Sequence, residues 1–161
     1  MWKFIKKLIY IVVLLNVLFI FWGKFFNPPI TLTQISGLLT YGKLDRDYIS
    51  YDEMGVNVKK AVIAAEDQKF FNHNGFDMQA IEKALDHNQK SERIRGGSTI
   101  TQQTAKNIFL WQGRSWIRKG FETVYAFIIE TIWGKEVILE RYLNSIEMGQ
   151  GVFGVDRKSV V

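Results

Sequence analysis

A mostly helical protein with one membrane-spanning helix at its N-terminus is the predicted fold class, and two observations carry it. Leu8 to Gly23 is apolar apart from Asn16, and is bounded by Lys3, Lys6 and Lys7 before and Lys24 after. Farther along, Asp77, Thr99 and Ser115 each stand just ahead of apolar residues at helical spacing, the pattern of a side-chain cap preceding a packed helix.

The apolar run reaches roughly 24 Å as a helix, short of a hydrocarbon core of about 30 Å. Phe4, Ile5, Phe25 and Phe26 extend it, and the lysine stems can snorkel outward. A cleaved signal peptide lacks its small-residue cleavage site here, and a core helix would not begin with three lysines, so residues 1–26 read as a basic tail and transmembrane anchor. The excess of lysine before the span puts the N-terminus in the cytoplasm and the remainder outside the cytoplasmic membrane. Asn16 reads as a single tolerated amide rather than a helix contact.

Pro28 and Pro29 close this helix. Residues 27–57 read as a linker or short extended pieces with the start of the domain, and 58–161 as the domain proper. Among 161 residues, 21 Lys and Arg against 16 Asp and Glu give a net charge of +5, which suits an anionic partner without choosing among phosphate, acidic lipid and nucleic acid. The absence of cysteine excludes disulfides and a thiol nucleophile, and the spacing of His73 and His87 argues against zinc.

The first helix of the domain sets Val58, Ala61, Val62 and Ala65 on one face and ends at Glu66 and Asp67, followed by Phe70, Phe71 and the turn-forming run Asn72 to Gly75. A carboxylate between a packed helix and an aromatic turn is where partial desolvation can make a base for a sugar hydroxyl; a surface Glu-Asp pair is the plain alternative. Asp77 caps the next helix, whose apolar side is Ile81, Ala84 and Leu85 and which ends near Asn88. The polar stretch 89–97, closed by Gly96 and Gly97, is a mobile loop over a polar site or a solvated connector.

Ser98 and Thr99 open a further helix, with Thr99 and Gln102 at capping-box spacing. Gln102, Gln103, Lys106 and Asn107 share one arc of that helix, which suits a polyhydroxylated or phosphorylated ligand or is an ordinary polar face. Ser115 opens a helix running to Gly134, on which Arg118, Lys119 and Glu122 are neighbours. This cluster either pairs internally or holds phosphate oxygens, with Glu122 positioning a cation or metal. A last helix, from Lys135 to about Met148, packs through Ile138, Leu139, Tyr142, Leu143 and Ile146, and Gly149, Gly151 and Gly154 end it in a loop.

Five blocks have now appeared in order: EDQKFFNHNG from Glu66, GGSTITQQTAKN from Gly96, RKGFE from Arg118, KEVILERYLN from Lys135 and GVFG from Gly151. Together they resemble the peptidoglycan glycosyltransferases of family 51, which occur as monofunctional enzymes and as the first domain of class A penicillin-binding proteins. WQGRSWIRKGFE is similar to the monofunctional branch. The resemblance covers roughly residues 45 to 155 and implies a lysozyme-like helical domain that polymerises lipid II at the outer face of the cytoplasmic membrane.

Carried onto this chain, the resemblance implies Glu66 as general base and Asp67 as its supporting neighbour. Lys106, Arg118 and Lys119 would hold the donor pyrophosphate, with Glu122 as the second glutamate and holder of a divalent metal, Mg or Mn. Ser98, Thr99, Gln102, Gln103 and Asn107 would line the cleft, while His73 and Gly75 would shape the turn. Its partners would be lipid II, the growing glycan strand, membrane lipid and other wall-synthesis proteins, with no nucleic acid. A lysozyme-like hydrolase and a non-catalytic wall-synthesis scaffold are the rival classes. The family continues in further helices after Gly154, where this chain reads VDRKSVV, so a C-terminally truncated domain with exposed helix faces is expected.

Overall fold

A computed structural model describes residues 1–155. Its seven helices are α1 Trp2–Phe25, α2 Leu32–Tyr41, α3 Val56–Glu66, α4 Met78–Lys90, α5 Ile100–Phe109, α6 Trp116–Trp133 and α7 Lys135–Ser145. Three short strands, β1 Asp45–Arg46, β2 Glu147–Gly149 and β3 Val152–Phe153, form one sheet in the order β1-β3-β2.

The core is built around α5. Ile100 and Ala105 of that helix are fully buried together with Ala126 and Ile129 of α6 and Ile138, Leu139 and Leu143 of α7. Apolar side chains at helical spacing on three neighbouring helices thus close on one another, and this burial supplies the main stabilisation. Thr99 and Gln102 form the expected capping box on α5, Asp77 caps α4 through the Ala80 amide, and Ser115 caps α6 through that of Arg118.

Three readings are corrected. The start of the domain within 27–57 is helical rather than extended: it holds α2, started by a capping box between Thr31 and Gln34, and Thr33 Oγ donates to the Asn107 carbonyl at 3.0 Å. The end of the last helix is not a loop of glycines. α7 stops at Ser145, and the chain returns as β2 and β3, with β3 pairing in parallel to β1. Gly151 adopts φ +69°, and a Cβ there would lie 2.6 Å from the Lys43 carbonyl oxygen, so the turn between β2 and β3 needs glycine. Finally, on α3 Ala61 and Ala65 are exposed, and it is Val58, Val62 and Ile63 that lean on the core.

Asn16 is more than a tolerated amide. Its Oδ1 accepts from the Tyr125 hydroxyl at 3.0 Å, Trp133 Nε1 donates to the Ile20 carbonyl at 2.8 Å, and Arg141 Nε donates to the Gly23 carbonyl at 3.0 Å. A Cβ on Gly23 would approach the Trp133 ring to 2.8 Å. The C-terminal half of α1 is therefore docked on α6 and α7 by buried and part-buried polar contacts. α1 is 24 residues long, with a mean hydropathy of 2.3 over its most apolar stretch, long and apolar enough to cross a membrane. The expected departure after Gly154 falls on residues 155–161, of which all but Val155 lie outside the described part.

Candidate active site

A cleft of about 660 Å³ opens between the end of α3, the start of α4, the 95–99 segment, α5 and the first turns of α6. Glu66, Asp67, Ser98, Thr99, Gln103, Lys106, Arg118, Lys119 and Glu122 all border it. Segments far apart in sequence thus bring nine of the expected residues together. Gln102 and Asn107 do not border it: Gln102 is buried and its side chain closes the capping box on the Thr99 amide, while Asn107 is buried where its carbonyl meets Thr33.

The wall formed by α6 is cationic. Glu122, only 2 % exposed, accepts from Arg118 Nη1 at 2.6 Å and from Lys119 Nζ. Arg118 Nε also donates to the Gly113 carbonyl at 2.8 Å, and Lys119 Nζ donates to Ser98 Oγ at 2.9 Å. One buried carboxylate at i+3 and i+4 therefore aims both cations and holds the glycine-rich segment beside them. Lys106 projects from α5 into the same cleft; burial pulls its ammonium below the usual lysine range, Arg118 and Lys119 add to that, and Glu122 opposes it. At this wall the three cations Lys106, Arg118 and Lys119 against the one carboxylate Glu122 leave two positive charges, suited to a diphosphate.

The expectation that Glu122 holds a divalent metal does not fit. Both of its oxygens are engaged by cations, and among the described residues no group of three or more His, Cys, Asp or Glu is placed to hold a metal ion. A divalent cation there would have to displace Arg118 and Lys119 against the repulsion of Lys106.

Opposite stands Glu66, the last residue of α3. It is exposed, so the desolvation expected of it falls on its neighbour instead: Asp67 is 7 % exposed. Asp67 accepts from His73 Nε2 at 2.9 Å and from the Ile100 amide at 3.1 Å, tying the end of α3 to the turn after it and to the first residue of α5. Asp67 and His73 are thus positioning residues, and Gly75, at φ +85°, contributes the carbonyl that accepts from Thr99 Oγ at 2.7 Å. Among the described residues one hydrogen bond holds the Glu66 side chain. Gln103 Nε2 donates to Glu66 Oε2 at 2.8 Å, and Gln103 Oε1 accepts from the Tyr142 hydroxyl at 3.2 Å. The helical spacing of Tyr142 predicts packing, which reports the ring and carries no information about the hydroxyl. The 95–99 border is pinned rather than loose, because Asn88 exchanges two hydrogen bonds with the Arg95 backbone, at 2.7 and 3.0 Å.

The family model described as Transglycosylase matches residues 33–160. The chain is 56 % identical over 117 residues to the biosynthetic peptidoglycan transglycosylase of Mannheimia succiniciproducens, covering 73 % of this chain and 48 % of that protein. It is 48 % identical over 147 residues to that of Xanthomonas oryzae, covering 87 % and 59 %, and 56 % identical over 111 residues to that of Pseudomonas aeruginosa, covering 69 % and 48 %. The chain spans about half the length of these curated relatives. With a match across most of the chain and a cleft built from the matched segment, this protein belongs to the transglycosylase family.

Proposed function

We propose that this helical, lysozyme-like domain is a peptidoglycan glycosyltransferase that extends β-1,4-linked glycan from lipid II. The observation that carries the reading is one exposed carboxylate, Glu66, facing a wall of three cations across a single cleft. Glu66 takes the proton from the acceptor sugar's 4-hydroxyl as its oxygen attacks the donor's anomeric carbon. The bond from that carbon to the diphosphate oxygen breaks, and the lipid diphosphate leaves with the bonding pair. Arg118, Lys119 and Lys106 meet the charge that develops on the leaving oxygens, so no second carboxylic acid is required to protonate them. A single displacement of this kind inverts the anomeric centre, unlike the double displacement of retaining glycosidases.

A hydrolase would need only the carboxylate; the triple cation wall is the feature it leaves without a use. α1 anchors the domain in the cytoplasmic membrane with the N-terminus inside and the cleft outside, where enzyme and lipid-linked substrates share one bilayer. The test is polymerisation of labelled lipid II in detergent by the chain and its Glu66→Gln variant, with products resolved by size. Glycan from the parent and none from the variant supports the reading, whereas equal product from both removes Glu66 as the base.

A further inference from the structure

Exposed carboxylates on a helix end rotate freely unless something holds them, and a base that must meet one hydroxyl at one angle loses rate when it rotates. Among the described residues only Gln103 hydrogen-bonds the Glu66 side chain, at Oε2, so the second oxygen is left for the acceptor. An amide can hold a carboxylate only with its NH2 turned toward it; the reversed amide would set oxygen against oxygen. The Tyr142 hydroxyl settles the orientation. It comes from α7, 3 % exposed, and donates its one hydrogen to Gln103 Oε1. Burial first, and the charge of Glu66 second, push the Tyr142 phenol above its usual range, so it stays protonated and remains a donor at every pH at which a carboxylate base works.

We propose that Tyr142 is a positioning residue for Glu66, acting through Gln103: its hydroxyl fixes the amide, and the amide fixes one carboxylate oxygen. The inference rests on the reading of Glu66 as the base, and it joins the core helix α7 to the cleft by a line of two hydrogen bonds. Tyr142→Phe keeps the ring in the core and removes only the orienting hydroxyl. Gln103→Met removes the whole link, and Gln103→Glu keeps an acceptor for Tyr142 but cannot hold the ionised Glu66.

The experiment measures kcat and KM for lipid II with the full chain in detergent, for these variants and the Y142F/Q103M double variant. In parallel, the side-chain NH2 signals of Gln103 are followed by NMR in 15N-labelled protein. The expected result is a fall in kcat of roughly tenfold for Q103M and Q103E and about threefold to tenfold for Y142F, with KM held within about twofold. The double variant falls no further than Q103M alone. The Gln103 NH2 proton facing Glu66 moves upfield in Y142F and in Glu66→Gln. Unchanged kcat and NH2 signals in Y142F overturn the proposal, as does a double variant whose loss is the product of the two single losses. If Y142F does not fold, Q103E decides: a rate equal to that of the parent shows that Glu66 needs no amide donor and overturns the proposal. Failure of the underlying reading looks different, since Glu66→Gln would then polymerise as the parent does while the NH2 signals still judge the contact.

Discussion

Glu122→Gln tests whether the cation wall is held from beneath. The substitution keeps the shape but removes the charge that Arg118 and Lys119 share, leaving the wall's three cations, Lys106, Arg118 and Lys119, with no carboxylate on α6 to offset them. Removing one partner of a buried pair costs roughly 3–5 kcal/mol, because the other charge stays desolvated. Arg118 is that case, with its side chain 11 % exposed, whereas Lys119, at 37 %, is largely screened and adds only a few tenths of a kcal/mol. The remaining bond from Arg118 to the Gly113 carbonyl retains part of the guanidinium's support, so about 3 kcal/mol is the expected loss. For a chain of this length that lowers Tm by roughly 6–12 °C. Thermal unfolding in detergent followed by circular dichroism reads it directly. Added pyrophosphate raises Tm more in the variant than in the parent, since the unoffset charge has grown from two to three. A variant that melts within about 2 °C of the parent, or that gains nothing extra from pyrophosphate, refutes the electrostatic account of the wall.

Lys106→Met is expected to abolish polymerisation while raising stability by about 1 kcal/mol, because a partly buried ammonium among like charges is replaced by an apolar side chain; denaturant unfolding checks the second half. The same lysine sets a pH dependence. Its folded pKa lies below the unfolded value of 10.5, so the unfolded chain binds more protons between the two and stability rises with pH across that window, a rise that Lys106→Met removes from the unfolding curves. Asp67→Asn is expected to cost roughly 2–3 kcal/mol in denaturant, because one amide oxygen cannot serve both His73 and the Ile100 amide as the carboxylate does. Asn16→Leu lengthens the apolar run yet leaves the Tyr125 hydroxyl without its acceptor, for an expected loss of about 1 kcal/mol measured against Tyr125→Phe in a double-mutant cycle.

Chemistry confined to one helix is legible in the sequence. Thr99 with Gln102, Asp77 and Ser115 each announce a helix start by spacing alone, and the i+3 and i+4 placement of Glu122 against Lys119 and Arg118 needs no more than one helix. α2 carried the same signal, a threonine three residues ahead of a glutamine at Thr31 and Gln34, but the prolines before it and the mixed polarity around it drew the reading toward extended chain. The pairing of β1 with β3 joins residues more than a hundred positions apart, beyond any periodicity. Within the cleft, amphipathic patterning cannot tell which of two polar neighbours faces in. Gln102 turns back to cap its own helix while Gln103 turns out to Glu66, and only the packing of α5 against α6 and α7 decides which is which. The burial of Asp67 rather than Glu66 was hidden for the same reason, since the partners that bury it, His73 and the Ile100 amide, come from the following turn and the next-but-one helix.

The docking of α1 makes the anchor a strut rather than a leash. With Asn16, Ile20 and Gly23 each engaged by a side chain of α6 or α7, the membrane helix and the cleft move as one piece. On the proposed reading as a membrane-anchored glycosyltransferase, the height of the cleft above the bilayer is then set by the protein, and the search for an aligned encounter is left to the lipid-linked substrate. Shifting the apolar run by a residue would turn the cleft by about 100° around the helix axis and move it about 1.5 Å along that axis, a mechanical coupling that a flexible tether would absorb without trace.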